Sequence, residues 1–198
     1  MVYTVHMAGT TTAERIATEA RRLLERDGPD GVSIRKVARA VGLSAMAIYR
    51  HYPGREAMLA RVVDDVFEEL AAAWSAPARG GVRARLLSAF DGYLDYALDH
   101  PRLYDYAFAS ARPGARRFPR DFEARRSPTL SLVADALRQG MREGRFRRRD
   151  PWPIALSLWA LSHGLVSLYR GGRIDLPRRA FGALHRAALL RFLDGLAR

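Results

Sequence analysis

The sequence predicts an all-α fold, and three observations carry that reading. Apolar residues recur at steps of three and four over most of the chain, the spacing that keeps one helix face against a core. No run of alternating β-branched residues exceeds a few positions, and no Asn-Gly or Asp-Gly hairpin turn stands between two such runs. Glycine and proline cluster where the apolar pattern stops, as punctuation between helices.

Residues 1–10 read as a disordered arm, without the basic start and apolar centre of a signal peptide. The first strongly patterned stretch is 31–56, GVSIRKVARAVGLSAMAIYRHYPGRE. Ser33 is placed to cap a helix, its hydroxyl accepting from an orphan N–H of the first turn. Ile34, Val37, Ala38 and Val41 follow at helical spacing, and Gly42 supplies the backbone freedom that stops the helix. Ser44 caps a second short helix with Ile48 inward, which leaves Ala45, Met46, Tyr49, Arg50 and His51 outside. This is a helix-turn-helix, a motif whose second helix lies in the DNA major groove. Capped helix pairs also occur in proteins that touch no DNA. The exit Tyr-Arg-His-Tyr-Pro-Gly-Arg tips the reading, because a helix without a partner rarely sets so many long donors on one short face.

With these residues in place, the stretch 11–74 resembles the TetR family of bacterial transcriptional regulators, and SIRKVARAVGLSAMAIYRHY matches without a gap. The resemblance extends upstream to a first helix with Ile16, Ala20, Leu23 and Leu24 inward and Gly28 and Gly31 in the turn. It implies that Arg35 reaches a guanine edge with bidentate donors, and that Ala45 and Met46 make apolar contacts to bases such as thymine methyls. Tyr49 and His51 would bond phosphates, and Arg50 a base or a phosphate. Arg55, beside Gly54 at the start of the fourth helix, would hold a phosphate together with the helix N-terminus. Ser33, Lys36 and Ser44 complete the expected DNA-facing set. Two positions depart from the family pattern: Met46 stands where glycine is frequent, and Arg55 replaces the usual lysine, keeping the charge but changing its geometry.

The organisation expected from this is a DNA-binding domain at 11–56, a connecting helix at 57–76 and a ligand-binding and dimerisation domain at 77–198. The fourth helix carries Asp64, Asp65, Glu68 and Glu69 on a solvated face, and a joint rich in small residues runs over 75–81 with Pro77, Gly80 and Gly81. Five helices are predicted beyond it. The first spans 82–99 with Leu86, Phe90, Tyr93 and Leu94 on one side. Pro101 opens a short one over 101–108, and a loop with Pro113, Gly114 and Pro119 follows. A third covers 122–143 up to Gly144, a fourth 152–169 up to Gly171-Gly172, and the last 178–196 with Phe181, Leu184, Ala188, Phe192 and Leu196 in step.

The fourth of these contains LWALSHGLVSLYRGG, which resembles the Trp-His-Gly signature of one C-terminal domain type in the same family. That resemblance implies that the last two helices pair with their mates in a four-helix interface of a homodimer. The composition suits this, since one helix is apolar nearly all round and the other amphipathic. The remaining helices would enclose a small-molecule effector. Phe90, Tyr93, Tyr96, Tyr104, Tyr106 and Phe108 make 90–108 rich in aromatics, and aromatic walls with a few polar tips are what such sites use. Expected ligand contacts are Phe90, Tyr93, Tyr96, Tyr104, Phe108, Trp159 and His163, each weighed against service as plain core.

Composition bounds the rest. The net charge of +12 invites a nucleic-acid reading, but residues 1–76 hold ten basic and ten acidic residues, so the excess lies wholly in 77–198. It falls in two arginine runs, 112–126 and 138–149, which read as solvated surface or as an attraction for acidic partners. The DNA expectation therefore rests on local placement. There is no cysteine, which excludes disulfides and thiolate metal sites and suits a cytoplasmic location. The five histidines lack metal-ligand spacing, and neither a nucleophile elbow nor a phosphate-binding glycine loop occurs, so no cofactor, metal or enzymatic activity is expected. Residues 152–169 carry no formal charge over 18 positions, but their serines and His163 favour a helix buried inside a dimer over a membrane span. The expected function is a homodimeric repressor on a palindromic operator in double-stranded DNA, released by a small molecule. An activator or ligand-independent regulator of the same fold is the first rival reading, and an α-helical interaction protein that does not bind DNA the second.

Overall fold

The computed structural model describes residues 10–75 and 80–197. These residues form ten α-helices and no strand; a lone antiparallel bridge joins Phe146 to Ala197. In chain order the helices are α1 (Thr12–Asp27), α2 (Ile34–Val41), α3 (Ala45–Tyr49), α4 (Arg55–Trp74), α5 (Gly81–Asp99), α6 (Pro101–Tyr104), α7 (Arg120–Glu123), α8 (Pro128–Arg142), α9 (Pro151–Arg170) and α10 (Arg178–Gly195). A short 3₁₀ turn, Pro29–Gly31, precedes α2, and a π-helical turn, Asp105–Ala109, follows α6. The expected arm before Thr10 and the middle of the joint at 76–79 lie outside the described residues. No helix among the described residues is long and apolar enough to cross a membrane, α9 included.

The chain forms two compact units. The first comprises residues up to Val66 together with His100–Gly114, and the second Phe67–Asp99 with the chain from Ala115 onward. This differs from the expected boundary at 76/77 in two respects. α4 runs unbroken through the division, so its first three turns belong with the helix-turn-helix. The segment 100–114, expected in the ligand-binding domain, packs with the first unit instead.

The reason is visible in the contacts of α6. Leu103 and Tyr104 are buried, the His100 ring bonds Glu25, and Arg102 donates to the carbonyls of Glu25 and Arg26 at the end of α1. Helix C-termini leave carbonyls unpaired, and a guanidinium is a good partner for them. The core of the first unit sits between α1, α2 and α4. Ile16, Ala20, Leu24, Val37, Ile48, Met58, Leu59 and Val62 are buried there. Truncating one such leucine, Leu24→Ala, costs about 2–5 kcal/mol in a packed core.

In the second unit the helix expected over 122–143 is two. α7 ends at Glu123, Arg125 takes a positive φ of 59°, and α8 starts at Pro128 with Ser127 as its cap. Proline cannot continue a helix from before it, but its fixed φ suits the first helical position. α5, α8, α9 and α10 then share one core that includes Leu86, Phe90, Val133, Leu137, Leu158 and Leu189.

Candidate nucleic-acid interface

α2 and α3 are cut and capped as their sequence dictates. Ser33 Oγ accepts from Lys36 N and Ser44 Oγ from Ala47 N, each at 3.2 Å. Gly42 adopts the left-handed conformation (φ 71°, ψ 33°), and Leu43 N donates to Ala38 O at 2.9 Å, which closes α2 and starts the turn. Two longer bonds fix the pair on α1: Arg15 donates to Val41 O at 3.2 Å and the Tyr52 hydroxyl to Ala13 O at 3.0 Å. Burial raises the Tyr52 phenol above its ordinary pKa, so it remains a donor at neutral pH.

This scaffold presents a continuous bare face. Met46 is 73% exposed and Tyr49 50%. Arg35, Ser44, Arg50 and His51 are exposed beside them, Ala45 is half-buried, and Ile48 turns into the core. Arg35 and Arg50 meet no carboxylate among the described residues. α3 ends at Tyr49, so Arg50 and His51 stand on the following turn rather than on the helix. Arg39, one turn after Arg35 on α2, is exposed on the same helix and belongs with this group.

Lys36 and Arg55 are placed otherwise. Lys36 Nζ donates to Gly31 O at 3.0 Å. Arg55 Nε donates to Val32 O at 2.8 Å, one Nη to Pro29 O, and the other pairs with Glu56. Two cations from neighbouring helices thus satisfy three carbonyls of the turn before α2. A phosphate contact is the expectation for Arg55; in the free protein both side chains hold the turn before α2. The signal for this was thin, because a carbonyl acceptor has no side-chain letter in the sequence.

The second unit gathers three of the expected ligand residues. Trp159 Nε1 donates to the Tyr93 hydroxyl at 3.2 Å, and that hydroxyl lies 2.9 Å from His163 Nδ1. Phe122 stands 6.3 Å from the Trp159 ring, and Tyr93 is almost fully buried. Phe90 lies in the common core, and Tyr96 is half-buried on α5. Tyr104 and Phe108 stack on each other at 5.5 Å in the first unit. One pair was not foreseen: Ser162 Oγ and His185 Nε2 bond at 2.8 Å with both residues fully buried between α9 and α10. Burial depresses the His185 imidazole to about 4.

Against known proteins, residues 86–192 match the family described as tetracyclin repressor-like, C-terminal domain, and residues 10–62 match bacterial regulatory proteins of the tetR family. The chain belongs to the TetR family. All the expected DNA-facing residues fall inside the amino-terminal match, and the Tyr93–Trp159–His163 cluster inside the other. An uncharacterized HTH-type transcriptional regulator of Mycobacterium tuberculosis is 28% identical over 166 residues, covering 82% of this chain and 72% of that protein. The HTH-type transcriptional repressor DrrR1 of Streptomyces coeruleorubidus is 33% identical over 57 residues, which is 29% of this chain and 21% of the repressor's length. A solved structure of a protein of unknown function from Rhodococcus sp. RHA1 shares 28% identity with a TM-score of 0.79, covering 97% of this chain and 98% of that one. TetR proteins are transcriptional regulators rather than enzymes, and this chain is a TetR regulator with a DNA-binding helix-turn-helix.

Proposed function

We propose that the chain is a homodimeric repressor that holds a palindromic operator in double-stranded DNA and releases it when a small molecule enters the second unit. The exposed α2–α3 face carries this reading. A methionine 73% exposed beside a half-exposed tyrosine and unpaired arginines is costly in water and well suited to base edges and phosphates. In this reading Arg35 and Arg50 read bases or phosphates, Ala45 and Met46 touch bases, and Tyr49, His51 and the hydroxyls of Ser33 and Ser44 hold the backbone. Lys36 and Arg55 set the turn.

Dimerisation through α9 and α10 is supported by the exposure of Leu168 (48%) and Leu184 (39%), and by the open space beyond Gly164, where an added Cβ would meet nothing within 4 Å. A twofold dimer sets the recognition helices about one DNA turn apart, hence a palindromic site. The effector site proposed is the Tyr93–Trp159–His163 cluster. A ligand preferring the state with wider-spaced recognition helices weakens operator binding by its difference in affinity for the two states. The location is cytoplasmic, where the operator is. Repression is favoured over activation because a 57-residue stretch of the chain is 33% identical to the repressor DrrR1.

The test is fluorescence anisotropy of the purified protein on duplex DNA from its own upstream region, with scrambled duplex as control at near-physiological salt. The expected result is a preference of at least about 10³. Equal, weak binding to the upstream, scrambled and genome-selected duplexes overturns the reading.

A further inference from the structure

The two arginine runs, 112–126 and 138–149, differ in how their charge is used. In the first, Arg120 and Arg126 share the buried carboxylate of Asp121, which also accepts from Arg117 N at 2.8 Å. Arg125 pairs with Asp135 at 2.6 Å, and Arg116 lies over the Phe67 ring at 4.4 Å. Three arginines of that run are thus paired with carboxylates and a fourth rests on a ring. The second run ends in the connection between α8 and α9, where Arg142, Arg145, Arg147, Arg148 and Arg149 are all exposed. Its two acidic residues are already engaged: Glu143 with Gln139 and Arg145, and Asp150 as the cap accepting from Trp152 N at 3.0 Å. Arg142 and Arg147–Arg149 meet no carboxylate among the described residues.

This connection is also held in place. Phe146 is buried, and its ring fills the space over Gly140, where a Cβ would stand 2.3 Å away. Arg147 N donates to Leu196 O at 3.0 Å, and Phe146 bridges to Ala197. The arginines are therefore displayed on a pinned segment, which lowers the ordering cost of a contact. Like charges held close repel, and a polyanion relieves that repulsion.

We propose that the α8–α9 connection is a second DNA contact, sequence-independent, that binds the phosphate backbone of duplex DNA apart from the helix-turn-helix. The exposed side chains of 142–150 are arginine and the two engaged acids, with Gly144 between them. A protein partner needs an apolar or aromatic centre to its interface, and a bilayer contact needs apolar side chains to enter the acyl boundary. Neither is offered here. A nucleic-acid backbone needs charge alone, and guanidinium groups meet phosphate oxygens in bidentate fashion.

The test is titration of the full-length protein with a random-sequence 40-base-pair duplex between 50 and 200 mM salt. It uses wild type, R147Q/R148Q/R149Q, the charge-keeping R147K/R148K/R149K, and each of these in a Y49A/R50A/H51A background. If three phosphate contacts are lost, the glutamine triple lowers the slope of log affinity against log salt by about 2–3 and the affinity at 50 mM by roughly tenfold or more. The lysine triple keeps most of both. The Y49A/R50A/H51A protein retains duplex binding that the glutamine triple abolishes, a result obtained whether or not the helix-turn-helix finds its operator. An unchanged slope in the glutamine triple overturns the proposal. So does loss of binding to anionic vesicles with duplex binding intact, which would assign the patch to lipid.

Discussion

The helix-turn-helix and the interior of the second unit use the same polar residue types in opposite ways. On α2 and the turn after α3, Arg35 and Arg50 meet no carboxylate among the described residues, while the two cations that could have joined them, Lys36 and Arg55, are drawn back onto backbone carbonyls. In the second unit several polar groups turn inward and bond one another: Trp159 to Tyr93, Tyr93 to His163, and Ser162 to His185 Nε2. The first arrangement leaves recognition groups available and spends charge on holding their frame. The second stores polarity where losing a partner leaves a buried group unsatisfied, which is the costly side of the hydrogen-bond balance. The two regions should therefore respond to mutation in different observables, affinity in one and stability in the other.

Arg55→Ala against Arg50→Ala is the largest test of that division. Removing Arg55 takes a donor from the Val32 carbonyl and one of two from the Pro29 carbonyl, which keeps Val32 N, and charge-assisted bonds of this kind are worth roughly 2–4 kcal/mol together. The expected outcome is a clear fall in the unfolding midpoint of the first unit, with DNA binding lost in proportion. Arg50→Ala should leave the melting curve unchanged and weaken operator binding by about tenfold or more. If Arg55→Ala melts like wild type and binds DNA poorly, its guanidinium serves the phosphate and not the turn.

His185 gives the next largest effect, in the second unit. Its imidazole titrates near 4 in the fold against an ordinary value of 6.5, because burial penalises the charged form. A base with a depressed folded-state pKa takes its proton more readily when unfolded. The stability it allows is complete above about pH 6.5 and drains away as the pH falls toward 4, by up to about 3 kcal/mol. His185→Phe should flatten the pH dependence of unfolding across that window relative to wild type. A wild-type profile parallel to that of the variant would mean the ring is reached by water.

How much of this was legible beforehand follows from the range of each interaction. The caps at Ser33 and Ser44, the stop at Gly42 and the inward Ile48 are local, and a residue letter specifies each one. The expected α2–α3 face is likewise a matter of periodicity. Pro128 was an equally local signal, and it splits the expected 122–143 helix because proline cannot follow a helical residue without loss. Arg55 and Lys36 were not legible, since their acceptors are carbonyls 23, 26 and 5 residues away. Tyr93 meets His163 across 70 residues, and Ser162 meets His185 across 23, separations that no pattern in one sequence encodes. The reassignment of 100–114 to the first unit has the same origin, because it depends on His100 and Arg102 finding the end of α1.

Tyr93→Phe probes the inward network at smaller cost. The phenyl ring keeps the packing and removes the hydroxyl shared by Trp159 and His163. The expected loss is about 1–2 kcal/mol of stability in the second unit. Operator affinity should hold without effector. If the cluster is the effector site, the concentration of effector needed for release changes in Tyr93→Phe. An altered melting curve with an unaltered release curve would make the cluster core and nothing more.

The smallest effect separates the two roles assigned to Ser44. Its oxygen accepts from Ala47 N, and its hydrogen is left to reach a phosphate. Ser44→Ala removes both and should cost about 1 kcal/mol of stability along with some affinity. Ser44→Asp separates them, because aspartate caps as well as serine but carries a negative charge toward the DNA. Stability should therefore stay at the wild-type level while operator binding falls by more than in Ser44→Ala. If Ser44→Asp binds as well as wild type, the start of α3 does not approach a phosphate, and the face that reads DNA must be centred on Arg35 and the end of α3 instead.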